Sequence, residues 1–195
     1  MIIIGITGGI GMGKSLLTRQ CALLGAKTCS SDAVVHQLLE KGGKAVEAVA
    51  ACFPGVKKNG AIDRKALGAV VFADREKRAR LEAILHPMVF AEEKSFAHRQ
   101  RKLGAALVVF DIPLLFETGG ESRCDITITA AAPTFLQRRR VMARQGMTQQ
   151  KFSAIAASQM REQQKRQRAD FVVQTGLGKG YSMRQLKIIL SQIHA

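Results

Sequence analysis

The string Gly8-Gly9-Ile10-Gly11-Met12-Gly13-Lys14-Ser15 constrains this chain more than any other feature. It reads G-x-x-x-x-G-K-S. An apolar run, Ile2-Ile3-Ile4-Gly5-Ile6, precedes it, and leucines at helical spacing, Leu16, Leu17, Leu23 and Leu24, follow it. Glycines at these positions let backbone N–H groups wrap closely around phosphates. The lysine then reaches the β- and γ-phosphates and the serine hydroxyl binds Mg²⁺. The positive end of the following helix strengthens the anion site. The residues expected to hold a nucleotide are therefore Gly9, Gly11, Met12, Gly13, Lys14, Ser15 and Leu16.

A continuous apolar strand feeding such a loop belongs in a parallel sheet buried on both faces. Further apolar runs at Ala26–Ser30, Ala105–Phe110, Asp125–Ala130 and Asp170–Gln174 supply the other strands. Between Asp32 and about Arg101 the pattern is mostly helical, with breaks expected at Gly42-Gly43, Pro54-Gly55 and Pro87. Gln137 to Arg168 is helical and basic with a break near Gly146, and Ser182 to Ile193 is a last helix. Strands alternating with helices make the expected fold class α/β with an open parallel sheet.

Charge narrows the function classes. The 195 residues carry a net charge of +15, and +8 of it falls between Gln137 and Arg168. Such a surface suits polyanions, which are nucleic acid or polyphosphate ligands. Aromatic residues are only 5%, with no Trp, which is poor material for stacking unpaired bases. The guanine signature N-K-x-D of GTPases is missing. No apolar run approaches the roughly 20 residues of a membrane span. The apolar N-terminus has no positive charge before it and is not read as a signal peptide. Cys21, Cys29, Cys52 and Cys124 show no C-x-x-C pair or zinc spacing and read as packing residues of a reducing, cytoplasmic compartment.

Several residues outside the loop carry candidate chemistry. Asp32 comes just after the second strand, at the sheet edge where ligands sit in open α/β folds. There it either takes or orients an acceptor proton, or caps the next helix behind Ser30-Ser31. Asp111 ends an apolar strand, the usual place of a Mg²⁺-linked carboxylate in phosphate-binding-loop proteins; the alternative is a brace for the following turn. Arg140 and Arg144 are four apart, which on a helix puts both guanidinium groups on one face, able to converge on a transferring phosphoryl group. Arg138, Arg139, Arg161, Arg166 and Arg168 read instead as a solvated basic face.

Taken in order, the loop, Ser31-Asp32-Ala33-Val34-Val35-His36, Leu85-His86-Pro87, Asp111-Ile112-Pro113-Leu114-Leu115-Phe116-Glu117, Gln137 to Arg144, Gln159-Met160 and Lys165 to Val173 resemble the dephospho-CoA kinase family over nearly the whole chain. The D-I-P-L-L-F-E and K-R-x-R-A-D-F-V-V strings are more specific than the loop itself. The resemblance implies a P-loop kinase with a five-stranded parallel sheet core, a helical CoA-binding insertion and a helical lid. The core would span 1–35, 102–136 and 166–195, the acceptor domain 36–101 and the basic lid 137–165. It implies ATP and Mg²⁺ as cofactors and transfer of the γ-phosphate to the ribose 3′-hydroxyl of dephospho-CoA. Asp32 is then the catalytic base, with Lys14, Arg140 and Arg144 beside it as catalytic residues. His86 and Glu117 face the acceptor, and Ser15 and Asp111 serve the metal. Ser30 and His36 stand where the family carries Asp and Arg. The rival readings are a kinase for another small hydroxyl acceptor and a nucleic-acid-binding ATPase. ATP and dephospho-CoA as small-molecule partners, with neither nucleic acid nor membrane, are the expectation; a monomer is compatible with the sequence, which does not fix the oligomeric state.

Overall fold

The computed structural model describes residues 1–71 and 74–193. Five strands, β1 (Ile2–Thr7), β2 (Lys27–Ser30), β5 (Leu107–Asp111), β6 (Ile126–Ala131) and β7 (Phe171–Gln174), form one parallel sheet in the order β2-β5-β1-β6-β7. The central position of β1 follows from its composition, because a strand with apolar side chains on both faces needs cover on both. Its alternate residues Ile4 and Ile6 are fully buried among Leu17 and Cys21 of α1 (Lys14–Leu23) and Leu186 and Ile189 of α9 (Lys179–Ile193). Each such side chain contributes roughly 1.5–3 kcal/mol by burial. Gly5 points the other way, where an added Cβ would lie 2.7 Å from Cys124 Sγ and 3.1 Å from Leu115. A polar tie adds register between α1 and α9: buried Gln20 donates to the Lys179 carbonyl at 2.8 Å and accepts from Ser182 Oγ at 3.0 Å.

The chain divides into two compact units, residues 1–29 with 100–195 and residues 30–99. The sheet lies in the first. The first also holds a short 3₁₀ turn, Gly120–Arg123, and the basic helices α6 (Thr134–Met142), α7 (Gln149–Ala157) and α8 (Glu162–Arg168). The second contains α2 (Ser31–Leu39), α3 (Val46–Cys52), α4 (Arg64–Val71) and most of α5 (Arg75–Lys102), and Val34, Leu38, Val49, Phe53, Leu67, Leu85 and Val89 are buried in it. No helix among the described residues is long and apolar enough to cross a membrane.

Three expectations need correction. The stretch 32–101 is not helical between α3 and α4: β3 (Lys57–Lys58) and β4 (Ala61–Ile62) form an antiparallel hairpin. Asn59 and Gly60 both adopt positive φ, 51° and 80°, as a type I′ turn requires, and the Asn-Gly pair is its usual signal. Pro87 does not break the helix but lies inside α5. It faces solvent, so water can serve the carbonyl that its missing N–H leaves, while Leu85 and Val89 on either side are buried and hold the helix together. Finally, α6 ends at Met142, with Ala143 as its cap. The Arg144 N–H turns back to the Val141 carbonyl, and Gly146 reverses the chain at φ 70°. Arg140 and Arg144 therefore do not share a helix face.

Candidate active site

The glycine loop connects β1 to α1. Gly11 and Gly13 sit at φ 77° and 97°, a region costly for any residue with a Cβ. Space forbids a Cβ as well: one at Gly11 would meet Val141 Cγ2 at 2.5 Å and the Gln137 carbonyl at 3.0 Å, and one at Gly13 would meet Thr175 Oγ1 at 2.6 Å. Gly13 caps α1 with no side-chain hydrogen bond, and no acidic residue lies in the first turn. The helix thus presents its positive end and uncapped N–H groups to an anion.

Lys14 Nζ forms an ion pair with Asp111 Oδ1 at the end of β5, and Thr18 Oγ1 donates to Asp111 Oδ2 at 3.1 Å. Both members are largely buried, with 15% and 8% of their side chains exposed. An ammonium has three donors, so Lys14 can keep Asp111 and still reach a phosphate oxygen. Ser15 is exposed beside it, and Leu16 is half-buried. Among the described residues no group of three or more His, Cys, Asp or Glu can hold a metal. Mg²⁺ carried by nucleotide phosphates needs only one or two hard protein oxygens, and the Ser15 hydroxyl with the Asp111 carboxylate fits that donor set.

The basic stretch meets the loop through Arg140 and through two glutamines that charge counting did not single out. Gln137 Nε2 donates to the Ile10 carbonyl at 2.9 Å, and Gln159 Oε1 accepts from the Ile10 N–H at 2.9 Å. Arg140 donates to the Gly11 carbonyl at 3.3 Å, to Thr175 Oγ1 at 2.9 Å and to the Thr175 carbonyl at 2.8 Å. Buried Thr175, just past β7, donates in turn to the Met12 carbonyl at 2.5 Å. Gln137, Gln159 and Thr175 escaped the sequence reading because none belongs to a charged or catalytic residue class. Their one signal was that Gln137 and Gln159-Met160 fall within the recurring strings.

The remaining candidates divide. Arg144 is exposed beyond α6. Glu117 accepts from the Met160 N–H at 2.7 Å and pairs with Lys165 Nζ at 2.8 Å. Lys165 is fully buried, and burial pushes its pKa down; Glu117 opposes that shift and the charge of Lys14 adds to it. Asp32 and His86 belong to the second unit. Asp32 is exposed in the first turn of α2, and the cap there is Ser30, whose Oγ accepts from the Ala33 N–H at 3.4 Å. The capping alternative for Asp32 is thereby removed. His86 stacks on Phe90 one turn along α5, with ring centroids 5.8 Å apart.

A phosphate-binding loop between β1 and α1 of a parallel sheet, with a lysine paired to the carboxylate ending a neighbouring strand, defines a P-loop nucleotide-binding fold. A family model described as dephospho-CoA kinase matches residues 2–178. The dephospho-CoA kinase of Paramagnetospirillum magneticum is 55% identical over 85% of this chain and 78% of its own. That of Rhizobium meliloti is 44% identical over the whole of both chains. The solved dephospho-CoA kinase from Campylobacter jejuni, 27% identical, superimposes with a TM-score of 0.71 over 98% of this chain and 96% of its own. The chain belongs to the dephospho-CoA kinase family.

Proposed function

We propose that this chain transfers the γ-phosphoryl group of ATP to the ribose 3′-hydroxyl of dephospho-CoA, giving coenzyme A and ADP. The observation that carries the reading is the Lys14-bearing glycine loop in a chain whose family match runs over residues 2–178. Backbone N–H groups from Gly9 to Leu16 and the Lys14 ammonium hold the ATP phosphates. Ser15 and Asp111 would hold Mg²⁺, which would supply countercharge to the ATP phosphates. Arg140 braces the loop from behind and adds its charge to the phosphate site, and Arg144 supplies an exposed guanidinium for the transferring group. On the acceptor side Asp32 takes the proton as the 3′-oxygen attacks the γ-phosphorus and the bond to the ADP oxygen breaks. His86 contributes a contact to the acceptor.

The charge of the basic helices serves two polyphosphate ligands and requires no nucleic acid. The proposed reaction is a cytoplasmic one, and a monomer is compatible with it. The test is an ADP-release assay over dephospho-CoA, adenosine and AMP. Dephospho-CoA should dominate kcat/KM, and equal turnover of AMP or adenosine would overturn the acceptor. Asp32→Asn should lower kcat by roughly 10²–10⁴-fold with KM for ATP little changed. Wild-type kcat in that variant would remove Asp32 from the reaction.

A further inference from the structure

Among the described residues Lys165 is the largest fully buried side chain, and the ATP-binding reading gives it no task. Its ammonium lies 2.8 Å from Glu117 Oε1, 3.0 Å from Glu117 Oε2, 3.0 Å from the Pro113 carbonyl and 3.5 Å from Thr7 Oγ1. Thr7 is the last residue of β1, directly before the glycine loop, and Thr7 Oγ1 also donates to Pro113 O at 3.1 Å. Pro113 stands two residues after Asp111. The other end of the network reaches the tip of the same loop. Glu117 Oε1 accepts the Met160 N–H, and the preceding residue, Gln159, accepts the Ile10 N–H. A closed circuit therefore runs from Thr7 through the loop to Ile10, across Gln159 and Met160 to Glu117, and through Lys165 back to Thr7.

We propose that Lys165 and Glu117 are positioning residues for phosphoryl transfer, forming a buried strut that fixes both the entry and the tip of the glycine loop. The proposal rests on the ATP-dependent kinase reading above. It also gives Glu117 a task other than touching the acceptor. An apolar pair of similar volume would serve stability as well as or better than a buried ion pair. What only this pair supplies is three directed hydrogen bonds, which join β1, the segment after β5 and Met160 just before α8. Loop amides must meet phosphate oxygens to within fractions of an ångström, and a misplacement of about 1 Å can cost roughly 100-fold in rate.

The double variant Lys165→Met/Glu117→Gln tests this. It removes the buried ammonium and the partly buried carboxylate together, and the glutamine still offers the Met160 N–H an acceptor. Expected are a melting temperature close to wild type and a kcat/KM for ATP lowered roughly 100-fold, with KM for dephospho-CoA little moved. A purely structural pair predicts the reverse, activity restored together with stability, and kcat/KM for ATP within twofold of wild type would overturn the strut. If the double variant does not fold, Gln159→Ala cuts the circuit at the loop tip without touching a buried charge. It should weaken ADP binding, measured by calorimetry, by roughly tenfold, the equivalent of one well-placed hydrogen bond. Unchanged ADP affinity in that variant overturns the proposal too. ADP binding needs no acceptor. A wild-type protein that binds ADP but leaves dephospho-CoA unphosphorylated would sink the acceptor assignment while the strut remains on test.

Discussion

Replacing Thr175 by valine asks how tightly the glycine loop depends on a residue more than 160 positions away in sequence. The hydroxyl makes two bonds: it donates to the Met12 carbonyl at 2.5 Å and accepts from Arg140 at 2.9 Å. Valine leaves a buried carbonyl and a guanidinium N–H without that partner, at about 1–3 kcal/mol for a buried group. The new methyl also cannot remain where the hydroxyl was, because a carbon needs about 3.3 Å or more from a carbonyl oxygen. The loop backbone must move away, against Gly13, which packs directly on Thr175. Together these effects come to about 2–4 kcal/mol. For a chain of this size that lowers Tm by about 4–16 °C. The same displacement should raise KM for ATP by roughly tenfold or more. Thr175→Ser keeps the hydroxyl and should stay near wild type in KM. A double-mutant cycle with Arg140→Ala, read by urea unfolding, should give a coupling energy of about 0.5–3 kcal/mol. A valine variant with Tm within about 2 °C of wild type and an unchanged KM for ATP would refute the argument that Thr175 holds the loop.

Arg140→Lys keeps a charge but cannot reproduce a planar fork that reaches Gly11 and both acceptors of Thr175, so Tm and kcat/KM for ATP should fall together. Arg144→Ala, at an exposed site, should leave Tm within about 2 °C and lower kcat/KM alone; matched losses of Tm in both variants would contradict their different placement. Burial pushes the Cys21 thiol up to about 11, so it should resist iodoacetamide at pH 8 in the native protein, and rapid labelling seen by mass spectrometry would count against that burial. Burial also raises the Glu162 pKa above 4.5, with Arg166 opposing the shift. The folded state therefore holds that proton more tightly than the unfolded chain, and stability is lost as pH climbs from 4.5 through the folded value. Glu162→Gln should melt higher than wild type at pH 7 and lose that advantage below pH 4.5, and a pH-independent difference would argue against the titration.

What could be read from the residues alone was what short-range chemistry specifies. The apolar run of β1, the glycines that only a phosphate-wrapping turn explains, the strand ends at Asp111 and Gln174, and the break near Gly146 each depend on a few neighbouring residues. The Asn59-Gly60 hairpin was equally local and its signal stood in the sequence, but the helical pattern around it masked the turn. Pro87 and Arg144 show the opposite limit. Whether a proline interrupts a helix depends on what Leu85 and Val89 pack against, and whether a helix runs one more turn depends on what stops it. The braces of the loop lay further out of reach. Ile10 meets Gln159 across 149 residues, Met12 meets Thr175 across 163, and Glu117 meets Lys165 across 48. Glutamine and threonine have no distinctive chemistry until an acceptor or donor is set at 3 Å, and a lysine in a basic run looks solvated until the fold buries it. Only the packing of β1, β5, β6 and α8 decided that Lys165 would be the buried one, because hydrogen-bond partners are selected by proximity in space and the chain's order carries no record of it.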